Sequence, residues 1–143
     1  PIMTEPGGPA WRQTTFFPFS ITSRLARGEA LRLPIESPTH STAVYGEVPL
    51  VDAVATNDAE SGRTAVFLVN RSVTDSVTVT ADIRALGDVG VLESHTIADD
   101  DVTAKNTLDD PERVAPRAAA VAIADGVLNI ELPPVSWTAV SLG

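Results

Sequence analysis

From residue 30 onward, apolar and polar positions alternate with a period of two. Leu31, Leu33 and Ile35 alternate with Arg32 and Pro34. Val77, Val79, Ala81 and Ile83 alternate with Thr78, Thr80 and Asp82, and Leu128, Ile130 and Leu132 with Asn129 and Glu131. This period places apolar side chains on one face of a strand and polar ones on the other. Residues 50–56, 64–70, 89–98 and 136–142 read as further strands. Ala65-Val66-Phe67-Leu68-Val69 is apolar at every position, as in a strand covered on both faces. Residues 118–124 read either way, because alanine favours helix while Val121 and Ile123 alternate. The spacers are rich in turn residues, and residues 99–117 are polar enough to predict one long loop. Seven or eight short strands separated by turns predict a mainly β chain, an antiparallel β-sandwich of jelly-roll-like form. Its core is expected to hold Val66, Leu68, Val77, Val79, Ile83, Leu128, Ile130 and Val140.

The first 27 residues follow another pattern. They hold Trp11, Phe16, Phe17 and Phe19, four of the seven aromatic residues. Residues 1–5 read as a strand with Glu5 at its C-terminal end, and Pro6-Gly7-Gly8-Pro9 as a turn. Phe17, Ile21 and Leu25 recur every four positions, which predicts a helix over residues 11–25 kinked or interrupted by Pro18. Arg24 and Arg27 suit its C-terminal dipole, and Gly28 is expected at its cap. The chain opens Pro1-Ile2-Met3, inside an apolar segment and without an initiator methionine. The expectation is a piece of a longer protein, divided into residues 1–27 and residues 28–143.

Composition narrows the chemistry. Ten Lys and Arg against nineteen Asp and Glu give a formal net charge of −9, with no basic cluster. Such a surface repels phosphate backbones and anionic lipid, so no nucleic-acid or membrane partner is expected. No apolar run is long enough to span a bilayer. The absence of cysteine excludes thiolate nucleophiles and Cys-held metals. Without cysteine or a leader in view, a cytoplasmic location is expected. His95 lies two residues from Glu93 on one strand face, but the only other histidine is His40, and no metal site is predicted. Asp99-Asp100-Asp101 reads as a solvated loop. No Gly-x-Ser-x-Gly elbow occurs, and most acids fall in loops, where a rigid glycosidase pair cannot be held. The residues alone show no complete set of catalytic groups and call for no cofactor.

Three blocks carry a resemblance. They are residues 1–5 with Gly7-Gly8 and Ala10-Trp11-Arg12-Gln13-Thr14-Thr15-Phe16-Phe17-Pro18-Phe19; Val102-Thr103-Ala104-Lys105-Asn106-Thr107 with Asp110-Pro111-Glu112-Arg113-Val114 and Pro116-Arg117; and Leu132-Pro133-Pro134-Val135-Ser136-Trp137-Thr138-Ala139-Val140. Together they resemble the C-terminal portion of the α-L-arabinofuranosidases of glycoside hydrolase family 51. The resemblance implies a retaining glycosidase parent that releases terminal non-reducing α-L-arabinofuranosyl residues in L-arabinose metabolism. Its two catalytic glutamates lie on earlier strands of a (β/α)8 barrel, outside this chain. Residues 1–27 would be the barrel's last strand, loop and helix, and residues 28–143 the following sandwich. The partners implied are that barrel, an arabinose-containing oligo- or polysaccharide bound through it, and further copies in a homo-oligomer. Barrel sites form at the C-terminal ends of strands. Gln13 is therefore expected either to bind a sugar hydroxyl or to satisfy loop backbone groups, and Trp11 to be a pocket wall or a packing residue. Arg12 would pair with a barrel carboxylate. Phe16, Phe17 and Phe19 would be buried in the parent. The alternative is an autonomous carbohydrate-binding sandwich, for which only Tyr45 and Trp137 remain as stacking platforms once Phe67 is assigned to the core.

Overall fold

The computed structural model describes all residues, 1–143. Strands β1 (Ile2–Thr4) and β2 (Ala10–Arg12) form a hairpin, followed by helix α1 (Phe16–Leu25). Ten strands follow: β3 (Glu29–Leu31), β4 (Thr39–Thr42), β5 (Gly46–Pro49), β6 (Val51–Asp58), β7 (Arg63–Asn70), β8 (Val77–Asp82), β9 (Val91–Ile97), β10 (Ala120–Ala124), β11 (Val127–Leu132) and β12 (Ser136–Leu142). Beyond Gly28 the only helical residues are the 3₁₀ turn Arg84–Leu86. A five-stranded sheet of order β3-β6-β7-β12-β9 faces a three-stranded sheet of order β10-β11-β8, and every strand pair is antiparallel.

The core lies between these sheets. Val51, Leu68, Ile83, Leu128, Ile130, Leu132, Val140 and Leu142 are buried there, with Val66, Val77 and Val79 packed around them. Leu132 and Leu142, read as strand-end residues, are as deeply buried as Leu128. At the middle of β7 and β12 the outward residues are buried too. Ala65, Phe67 and Ala139 are covered by Ile21 of α1, with Leu25 and Trp137 at the rim. The middle of the five-stranded sheet, at β7 and β12, is thus covered by a sheet on one side and a helix on the other, which explains the unbroken apolar run of β7; on neighbouring β6 the outer face stays open, with Val54 53% exposed.

Several local expectations are corrected. Trp11 and Arg12 are in a strand, and the helix begins only at Phe16. Pro18 then lies in the first turn, where its missing N–H leaves no helical bond unmade, so no kink is needed. Ala26 caps the helix, its N–H donating to the Thr22 carbonyl; Gly28 serves the turn into β3 instead. Of the strand expected from Ala30 to Glu36 only Ala30 and Leu31 pair, in a strand that starts at Glu29, and the ambiguous residues 118–124 contain β10. The β4–β5 hairpin went unread, because its short polar strands carry no alternation.

Candidate functional site

Residues 1–15 meet the long loop 99–117 at one edge of the sandwich. In the β1–β2 hairpin Ile2 opposes Arg12, and Met3 opposes Trp11. The turn between them is closed by the Gly8 N–H donating to the Glu5 carbonyl at 2.9 Å. Glu5 sits at the end of β1, exposed. The Gln13 N–H donates to the Pro1 carbonyl at 2.7 Å and extends the pairing one step.

Trp11 and Gln13 are two apart on an extended segment, so their side chains point the same way. Both reach one atom. Trp11 Nε1–H donates to the Asn106 carbonyl oxygen at 3.2 Å, and Gln13 Nε2 donates to the same oxygen at 2.7 Å. The Asn106 side chain is 1% exposed and completes the joint. Its Nδ2 donates to the carbonyls of Arg12 (3.0 Å) and Val114 (3.1 Å), and its Oδ1 accepts the Val114 N–H at 2.8 Å. A loop without regular structure is held here by one carboxamide whose donors and acceptor are all used. Arg12 lies over the Phe16 ring, its guanidinium carbon 4.9 Å from the centroid. Asn106 stands in a block quoted for its resemblance, yet sequence reading assigned it no role. A polar residue in a polar loop gives no sign that it is buried.

The other candidates are tied up locally. Arg24 of α1 holds Glu93 of β9 through both oxygens (2.6 and 2.8 Å), and His95 Nε2 reaches Glu93 Oε2 at 2.8 Å. The Arg24 hydrogen bonds lower the Glu93 pKa to about 2, with His95 adding to the effect. These residues form an ion-paired seam between helix and sheet. Asp99 is held below the usual carboxylate range, chiefly by Arg113 at 3.2 Å. Asp101 is lowered as well, by its Thr103 hydroxyl and backbone donors. The 99–101 run borders a cleft of about 690 Å³, with Arg113, Arg117, Val73 and Val135 also on its walls. Of the two aromatic platform candidates, Trp137 stacks on Phe67 at 6.3 Å, while Tyr45 is 81% exposed at the tip of the β4–β5 hairpin. They lie on different elements and build no shared platform.

Comparison with known proteins gives this geometry a context. The family model of the α-L-arabinofuranosidase C-terminal domain matches residues 1–136. The chain is 48% identical over 141 residues to an intracellular exo-α-(1→5)-L-arabinofuranosidase of Streptomyces lividans, covering 98% of this chain and 21% of the relative. It is 46% identical over 144 residues to an exo-α-(1→6)-L-arabinofuranosidase of Bifidobacterium longum, covering 98% of this chain and 27% of that protein. In structure it is similar to AbfB, a family 51 α-L-arabinofuranosidase of Bifidobacterium longum, with a TM-score of 0.94 and 38% identity over all of this chain and 28% of AbfB. The family 51 enzyme of Thermotoga petrophila shares the fold, with a TM-score of 0.83 at 20% identity over 98% of this chain and 31% of that one. The chain therefore spans between a fifth and a third of the length of these proteins. With a family model over nearly its whole length and relatives approaching half identity, this chain belongs to the C-terminal domain family of the α-L-arabinofuranosidases of glycoside hydrolase family 51.

Proposed function

We propose that the chain is the structural, non-catalytic closing portion of an α-L-arabinofuranosidase that releases terminal non-reducing α-L-arabinofuranosyl residues. In this reading residues 1–27 are the last strand, loop and helix of a preceding (β/α)8 barrel, which supplies both catalytic glutamates. Residues 28–143 are the sandwich that braces it. The observation that carries the reading is β1. Ile2 is 57% and Met3 47% exposed, and the strand pairs with β2 alone, so one edge stands open. An apolar strand with a free edge is a place for another strand. On the adjacent helix, Ile21 faces the sandwich while Phe19 is 75% exposed on the side left bare.

In this arrangement the Thr4–Gln13 segment edges the sugar pocket. Gln13 Nε2 spends one hydrogen on Asn106, which leaves a second N–H and Oε1 for sugar hydroxyls. Trp11, tied beside it, forms pocket wall. The S. lividans and B. longum relatives are named for different linkages, (1→5) and (1→6), yet are nearly equally similar over this span. Linkage preference therefore belongs to the preceding domain. Several relatives are named intracellular, which supports a cytoplasmic setting; the role in L-arabinose metabolism is what the family resemblance implies. A homo-oligomeric parent follows from the family resemblance, and the exposed Val44–Tyr45 tip offers a surface for such contacts.

Hydrogen exchange tests the docking. The β1 amides that face away from β2 should exchange fast in the 143-residue chain and become protected in the longer parent. Equal exchange in both would remove the basis for placing β1 in a barrel.

A further inference from the structure

We propose that Asn106 is a positioning residue, through which the sandwich fixes the orientation of Gln13 and Trp11 at the sugar pocket. The inference rests on the reading of Gln13 as a sugar contact. It goes beyond that reading by assigning the sandwich loop a part in substrate recognition.

A free glutamine side chain samples many rotamers, and its amide can turn over. Here the Nε2 end is held at 2.7 Å by the Asn106 carbonyl, which fixes which end of the carboxamide is the nitrogen and where Oε1 points. The same carbonyl takes the Trp11 indole N–H, so ring and carboxamide are set against one reference atom. That atom is itself immobile. The Asn106 side chain bonds the backbone just before Gln13, at the Arg12 carbonyl, and both backbone groups of Val114. The bonds close a ring: side chain of Asn106 to backbone of Arg12, side chain of Gln13 back to backbone of Asn106. All five hydrogen bonds belong to one residue that water does not reach. Groups that contact a reacting sugar need this kind of support, because a displacement of about 1 Å costs about a hundredfold in rate.

Asn70 provides a matched control. It is also 1% exposed and fully bonded, its Nδ2 donating to the Asp75, Leu132 and Pro133 carbonyls and its Oδ1 accepting the Ser72 N–H. None of these bonds reaches residues 1–27.

The test uses the full parent chain, with an aryl α-L-arabinofuranoside as substrate, assayed well below each variant's melting temperature. Asn106→Ala should lower kcat/KM about ten- to a hundredfold. Asn70→Ala should lower the melting temperature comparably and leave kcat/KM within about twofold, since it removes the same kind of buried bonds elsewhere. In a Gln13→Ala background, Asn106→Ala should lower kcat/KM by clearly less than it does in the native chain, because the part of its effect that passes through Gln13 is already gone. Should Asn106→Ala fail to fold, Asn106→Asp replaces it; this variant keeps the size and the bond accepted from the Val114 N–H, and loses the bonds donated to the Arg12 and Val114 carbonyls. Equal kcat/KM for the Asn106 and Asn70 variants, or an undiminished Asn106 effect without Gln13, overturns the proposal and leaves the sugar contact standing. If Gln13→Ala alone leaves kcat/KM unchanged, the sugar-contact reading fails and the proposal falls with it.

Discussion

Gly28 stands at φ 73°, and a Cβ there would lie 2.0 Å from the carbonyl oxygen of Asn57. Backbone rather than side chain is in the way, so nothing nearby can swing aside. Gly28→Ala should cost about 2 kcal/mol or more, the sum of a left-handed alanine and a displaced strand; a chemical denaturation midpoint measures it. Leu128 is completely buried, and Leu128→Ala should cost about 3 kcal/mol through lost transfer energy and an unfilled cavity. Glu93 has a folded pKa of about 2 against an ordinary 4.5. A depressed carboxylate stabilises the fold fully above pH 4.5 and loses that contribution as the pH falls through 2. The stability advantage of the native chain over Glu93→Gln should therefore shrink between pH 4.5 and 2. Arg24 is half exposed, so solvent screening keeps that advantage near about 1 kcal/mol or below. An advantage independent of pH across that window would show that the Arg24 pair contributes nothing. At this scale the apolar core was largely legible, because alternation marks burial directly. Asn70 and Asn106 were not, since burial of a polar group depends on partners supplied from distant sequence.

The strands of the sandwich were legible as elements wherever one face is wet and the other dry. The exceptions have local causes. β4 and β5 leave no apolar stripe to read, and β2 is too short to show a period. The helix start was misplaced because the Phe17, Ile21 and Leu25 spacing marks the helical face but not its first residue, while the β1–β2 pairing takes residues 10–12 into a strand. The helical face itself was correctly read: Ile21 is buried, and Leu25 packs beside it on the sheet. Helix α1 therefore closes the sandwich as well as leading into it. Deleting residues 1–27 would uncover Ala65, Phe67 and Ala139 together, and each large apolar side chain re-exposed costs about 1.5–3 kcal/mol. The truncated chain should melt earlier and self-associate in sedimentation, as contiguous apolar patches do. A monomer with an unchanged melting temperature would mean that α1 covers nothing of consequence.

Over the whole molecule, a sandwich whose outer face is partly covered by helix α1 carries an apolar strand, β1, with one open edge. The sequence alone supported a sandwich; it took the resemblance of three motif blocks to point toward a larger glycosidase, and the family match established that relation. What remained unreadable was the joint between the two parts, because it is made of hydrogen bonds between residues about ninety positions apart. On the reading proposed above, this chain braces a catalytic domain and performs no glycoside hydrolysis itself. The most direct measurement is an assay of the purified, cooperatively melting 143-residue chain on an aryl α-L-arabinofuranoside. We expect no release of the aryl group above the enzyme-free blank, with activity present in the parent. Turnover that survives repurification and disappears in Glu5→Gln would place the chemistry inside this chain and contradict the account.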